Sequence, residues 1–238
     1  MGKRLIQQAR GKGSMTYRAP SHRYKGSSTY PKKEDTKIKI IDFIHCPAHS
    51  APLAKVTSPT EKSVLLIAAE GIKVGEELQY SPDAAIKAGN ILQLKYIPEG
   101  TKIFNIESKP GDNGKFCRSA GAFAKVVAKL KNKVVIQFPS KKQKEFFEEC
   151  KASIGTVAGS GISDKPILKA GIRMKMKRAR NKLYPRSGAT SMNAVDHPFG
   201  GTTSSHKGKP TVTPRGAPPG RKVGMLRARR TGRKKGKR

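Results

Sequence analysis

The chain contains no tryptophan, and its aromatic residues make up only 6% of 238 positions, thin provision for a large packed core. Acidic residues are equally scarce: 16 Asp+Glu stand against 50 Lys+Arg, a net charge of +34. No apolar run approaches the ~18 residues of a membrane span, and the longest clean one is Val64–Ala69. The basic segment Met1–Gly13 has no apolar stretch behind it, so a secretory signal is not expected. Three scattered cysteines, Cys46, Cys117 and Cys150, fit neither a disulfide framework nor a Cys-x-x-Cys zinc site, and suit a reducing, intracellular compartment.

What the chain has in excess is positive charge at its ends. Residues 1–33 carry nine Lys/Arg and no acid, and residues 173–238 carry 20 Lys/Arg against Asp196 alone. Residues 34–172 hold 21 basic and 15 acidic residues, an ordinary mixture. Self-repulsion on this scale opposes a compact state, so a polyanion that neutralises it is expected. The first segment interleaves its arginines with Tyr17, Tyr24 and Tyr30 and lacks apolar periodicity. It reads as a basic arm that orders on nucleic acid, arginines on phosphates and tyrosines free to stack on bases.

The middle reads as short strands. Lys37-Ile38-Lys39-Ile40-Ile41-Asp42-Phe43 alternates and is isoleucine-rich; Val64–Ala69 suits a buried strand and Glu77–Tyr80 a short one. Tyr80-Ser81-Pro82-Asp83 and the small residues up to Gly89 mark a boundary, and Thr101–Glu107 alternates again before the turn Pro110–Gly114. Ala122–Leu130 and Lys133–Phe138 form a hairpin, Lys144–Cys150 suits a helical turn or a strand, and Ala152–Val157 is the last strand. Small β-barrels, rather than a parallel sheet, are the expected class. The expected divisions are a basic extension at 1–34, two halves at 35–88 and 89–172, and a basic, Gly/Pro-punctuated extension at 173–238. That last segment cannot bury enough apolar surface to order itself. A terminal Lys/Arg run can also act as a localisation signal, but an address would not need 66 residues.

Three constellations invite chemistry, and each has a plainer reading. His45-Cys46-x-x-His49 has ligand types at metal spacing, but no complementary Cys/His pair supplies a fourth ligand. Gly111-Asp112-Asn113-Gly114-Lys115 lacks the spacer and the Ser/Thr of a nucleotide loop and reads as a turn, with Gly114 and Lys115 able to approach a phosphate. Asp196-His197 suggests proton transfer, yet adjacent side chains seldom share a target and no nucleophile accompanies them. Neither a catalytic site, a metal nor a cofactor is expected.

The run Met192-Asn193-Ala194-Val195-Asp196-His197-Pro198-Phe199-Gly200-Gly201 closely resembles the signature of the universal large-subunit ribosomal protein two family. Further matches follow in order, among them Ser50–Ala54, Ile97–Thr101, Pro110-Gly111-Asp112, Gly114-Lys115, Arg118–Gly121, Ala152–Gly155 and Lys165-Pro166. Ala217–Gly224 and Arg230–Arg233 look like the archaeal and eukaryotic branch. The chain departs from the pattern at Gly188, where the family usually has arginine (the nearest here is Arg186), and at Thr202, where a third glycine is common.

The resemblance implies a mainly β chain, an OB-fold barrel followed by an SH3-like barrel, and no enzyme activity. It implies binding to large-subunit ribosomal RNA close to the peptidyl transferase centre, in the cytoplasm, with roles in subunit assembly, subunit association and tRNA placement. Neighbouring ribosomal proteins, the small subunit and tRNA are the further partners implied, with no membrane and no homo-oligomer. Arg4, Arg10, Arg18, Arg23, Lys115, Arg118, Arg173, Arg178 and Arg180, with Arg221 and Lys222, are the expected rRNA contacts. Asn193, His197, Gly200 and Gly201 would form an inserted loop, His197 supporting an RNA active site rather than catalysing. Two other classes are distinguishable. An RNA-modifying or nucleotide-hydrolysing enzyme would turn over its cofactor, and a chromatin-type packager would bind duplex DNA as tightly as folded rRNA.

Overall fold

Isoleucine and lysine alternate along Thr36–Ile44, and the pattern folds as the long strand β1, with Ile38 and Ile40 buried and Lys37 and Lys39 exposed. The alternation breaks where the register slips between Ile40 and Asp42, a bulge that leaves Ile41 facing solvent. β1 is flanked by β2 (Leu53–Thr57) and β4 (Glu77–Tyr80), both antiparallel, and β3 (Val64–Ile67) closes a hairpin on β2.

The remaining strands are β5 (Ile91–Gln93), β6 (Lys102–Phe104), β7 (Ala124–Lys129), β8 (Lys133–Gln137), β9 (Gln143–Phe147) and β10 (Lys151–Ile154). Together these ten form one mixed sheet in the order β3-β2-β1-β4-β5-β10-β6-β7-β8-β9. Its two halves meet at β4 and β5 through the single parallel pair Tyr80↔Ile91. The segment 144–150, legible as helix or strand, is strand as far as Phe147 and a turn beyond it: Phe146 is buried opposite Val134 and packs edge-on against Phe116 and Phe138.

This computed structural model describes residues 2–32, 36–59, 61–201, 204–205 and 214–218. They group into two compact units, one of Ser21–Leu168 and one that combines Met1–Pro20 with the chain from Lys169 on. The first unit has three apolar clusters. One packs Tyr30, Ile38, Val56, Leu66 and Leu78 under β1–β4; a second packs Leu94, Ile97, Ile103, Val126 and Ile136 under β5–β10; a third joins Cys46, Leu53, Ile67, Phe104 and Val157. Each fully buried aliphatic side chain contributes roughly 1.5–3 kcal/mol.

The second unit is built differently. It contains the six-residue helix α1 (Ile6–Gly11), the nine-residue helix α2 (Ala170–Arg178) and a 3-10 turn at Ala189–Ser191. Neither helix has a buried residue, and among the described residues of this unit only Pro198 and Gly200 are buried. Hydrogen bonds, rather than a core, define its shape.

Candidate nucleic-acid interface

The turn after β6 is organised by two carboxylates. Buried Glu107 accepts the backbone N–H groups of Gly111, Asn113 and Lys151 at 3.3, 3.2 and 2.9 Å. Asp112 accepts those of Ser108, Lys109 and Gly114 at 3.0, 3.4 and 3.1 Å. The turn's backbone donors are therefore spent on these carboxylates and, for Asp112 and Lys115, on the Lys109 and Ile106 carbonyls, and cannot cradle an anion. What it can offer a phosphate is side-chain charge, and Lys109 and Lys115 are both exposed. Gly114 is required here: its φ is +80°, and a Cβ would stand 2.5 Å from the Asn105 carbonyl oxygen. Arg118 donates to the Gly114 carbonyl at 2.9 Å, which holds a half-buried guanidinium beside the turn.

Tyr30 joins the basic arm to this turn. Its ring is buried, its hydroxyl donates to the Asn105 carbonyl at 2.6 Å, and its N–H donates to Asn113 Oδ1 at 3.1 Å. Burial pushes the phenol's pKa up, so it stays protonated. Tyr30 is thus not free to stack on a base, as the sequence reading expects; it is a core residue. Tyr24 is half-buried against the third cluster. The arm also meets the edge of β3, with Thr29 N–H donating to the Leu65 carbonyl at 3.0 Å, beside a cleft of about 730 Å3 lined by Lys25, Lys55 and Glu61.

In the second unit the N-terminal residues and the segment after α2 are laced together. α2 ends with Asn181 in the left-handed region at φ 50°. The Lys182 and Asn181 N–H groups return to the Lys177 and Arg178 carbonyls at 2.9 and 3.0 Å, the double bond of a Schellman ending. The Asn181 side chain then donates to the Thr16 and Arg18 carbonyls, both at 2.8 Å, and the Asn181 backbone carbonyl accepts from the Arg10 guanidinium at 2.7 Å. Arg10 also lies over the Tyr17 ring, 5.2 Å from its centroid. Asparagine past a helix end is a readable stop signal, but α2 lacks the apolar periodicity that would have drawn attention to it.

The loop 192–201 closes on itself. The Asn193 carbonyl accepts the N–H groups of Asp196 and His197 at 2.9 and 3.2 Å, and Gly201 N–H reaches the Met192 carbonyl at 3.1 Å. A Cβ on Gly200 would overlap the Asn193 carbonyl and lie 2.6 Å from the Met192 oxygen, so only glycine fits. His197 Nδ1 accepts the Phe199 N–H at 3.1 Å, which leaves the proton of a neutral ring on Nε2. The His197 and Phe199 rings stand 5.1 Å apart. Asp196 pairs with Lys3 at 3.0 Å, not with His197, and Lys3 N–H donates to the Val195 carbonyl at 2.9 Å. The adjacent acid and imidazole thus have separate partners.

The predicted contacts fall in both units. Arg4, Arg18, Arg23, Lys115, Arg173 and Arg178 are exposed, while Arg10, Arg118 and Arg180 are half-buried. The loop brings Asn193, His197, Gly200 and Gly201 together. Arg221 and Lys222 lie outside the described residues. Sequence reasoning missed the anchoring roles of Lys3, Tyr30 and Asn181. Of the suggested metal ligands, Cys46 is buried among Leu53, Ile67 and Phe104, and no cluster of three or more ligand types exists among the described residues. Burial pushes the Cys117 and Cys150 thiols up to about 11, away from thiolate chemistry at neutral pH.

Residues 87–216 match the family model of the ribosomal proteins L2, C-terminal domain. The "Large ribosomal subunit protein uL2" of Methanococcoides burtonii is 48% identical over 237 residues, covering 98% of this chain and 100% of that one. The protein of the same name from Archaeoglobus fulgidus is 48% identical over 234 residues, 98% of this chain and 99% of that one.

Proposed function

The chain belongs to the ribosomal protein L2 (uL2) family, in its archaeal-like branch, and we propose that it is an rRNA-binding structural component of the large subunit of the cytoplasmic ribosome. One observation carries this: a chain alignable end to end with large-subunit proteins concentrates its positive charge at its ends, and the described parts of residues 1–20 and 169–218 lack an apolar core. It is not an enzyme. Residues 35–88, with β1–β4, form the OB-fold barrel and residues 89–172, with β5–β10, the SH3-like barrel. The extensions 1–34 and 173–238 thread into large-subunit rRNA near the peptidyl transferase centre.

Arginines and lysines of the arms, with Lys115 and Arg118 on the β unit, neutralise phosphates and release counterions. Folded RNA is read through shape, 2′-hydroxyls and unstacked bases, which suits a closed loop better than a groove-reading helix. In that loop Gly200 allows the tight closure, and His197 Nε2–H supplies one directed donor to an RNA acceptor. The protein then supports the RNA catalyst without taking part in bond making, assists assembly and subunit association, and helps seat tRNA. Neighbouring ribosomal proteins complete its surroundings.

Co-sedimentation of a tagged full chain in high-salt sucrose gradients tests this. Retention on the large subunit through a wash that strips loosely held basic proteins is expected. Release to the top of the gradient while other core proteins stay would overturn it.

A further inference from the structure

Helix α2 is apolar on two sides and buried on neither. Its sequence, AGIRMKMKR, contains no acid, and Ile172, Met174 and Met176 are 50%, 46% and 56% exposed. At about 100° per residue, Ile172 and Met176 fall together on one side of the helix. Ala170 and Met174 fall together on the nearly opposite side. Each apolar pair is bracketed by cations: Lys175 and Arg173 flank the first, Arg178 and Lys177 the second.

That arrangement excludes the usual occupants. A helix docked on a protein core presents one apolar stripe and leaves a polar back. An interfacial membrane helix likewise gathers its apolar residues on one face. Here a single flat partner would cover one pair and leave the other in water. A helix this short is also marginal by itself. A folded polyanion with a wall on each side satisfies both pairs, with phosphates meeting the four flanking cations and sugar and base surfaces meeting Ile172, Met174 and Met176.

We propose that α2 is an insertion helix, held in a cleft of folded large-subunit rRNA and contacted through apolar side chains on two opposite sides. This rests on the rRNA-binding reading above and adds to it the mode of contact. Ile172→Lys and Met174→Lys provide the test, because each adds a cation at an exposed position. If charge alone bound the RNA, both would tighten binding.

The inference predicts that each weakens the full chain's affinity for large-subunit rRNA by about fivefold. Equal or tighter binding by either variant, with the unsubstituted chain still selective for that RNA, overturns the inference alone. Failure of the unsubstituted chain to prefer that RNA over duplex DNA overturns the ribosomal reading as well. Benzoylphenylalanine in place of Ile172 or Met174, in chains assembled into the subunit, gives an independent readout. Crosslinks to rRNA from both positions are expected, whereas a crosslink to a neighbouring protein from either would contradict two-sided RNA contact.

Discussion

Residues 21–168 and the described parts of 1–20 and 169–218 form two kinds of protein within one chain. Every large buried apolar side chain among the described residues lies between Tyr30 and Val157. Among its described residues the other unit buries only Pro198 and Gly200, and it takes its shape from directed bonds at Asn181, Asn193 and Lys3. Hydrophobic burial is what offsets conformational entropy, so the first unit holds its shape in water. The second has a specified geometry and little free energy of its own to enforce it. Its net stabilisation has to come from the partner that neutralises it.

The largest expected effect is kinetic. Trypsin should cut the RNA-free chain after Arg173, Lys175, Lys177 and Arg178 about a hundredfold faster than at lysines within β1–β10, leaving a resistant fragment near residues 21–168. Similar cutting rates in both regions, followed by mass spectrometry, would break the distinction.

A pair of glycines sharpens it. Gly114→Ala places a methyl against Asn105 at positive φ and should cost about 3 kcal/mol in urea unfolding. Gly200→Ala is no less crowded, yet should leave the unfolding midpoint unchanged and reduce retention on the subunit instead. Glu107→Gln replaces an acceptor of three backbone N–H groups with a side chain that also donates, for a loss of about 2 kcal/mol.

A smaller effect comes with pH. Cys117 and Cys150 rise from an ordinary 9.0 to about 11 on folding, so the native state holds protons that the unfolded state gives up first. Their contribution is full below about pH 9 and is lost as pH rises through about 11. Chemical denaturation across that window should show declining stability, and alkylation of the native chain at pH 8 should be slow. The least effect belongs to Lys3→Met. It removes an exposed ion pair and should change stability by under about 1 kcal/mol, read in the same unfolding assay.

The core was largely legible because alternation of Ile and Val with polar residues is a direct consequence of a half-buried sheet. β1 stands where that alternation lies, β3 where an unbroken apolar run marks a buried strand, and β4, β7 and β8 where short β-prone runs lie. β2 was hidden by its small residues, and β5 is three residues long and exists through its pairing with β10. α2 was invisible because two opposed apolar pairs have no single helical stripe. Tyr30 looked like part of a stacking arm because its neighbours are basic; only the fold brings it to Asn105 and Asn113. The loop 192–201 was legible as a motif, whereas its closure through the Asn193 carbonyl depends on backbone geometry that residue types do not carry.

The most direct measurement is amide hydrogen exchange of the full chain, free and within the assembled large subunit. Amides of β1–β10 should be slow in both states, and those of α2 and of residues 192–201 slow only in the subunit. Equal protection of the extensions in the free chain would contradict the account, because the second unit would then be stable without RNA.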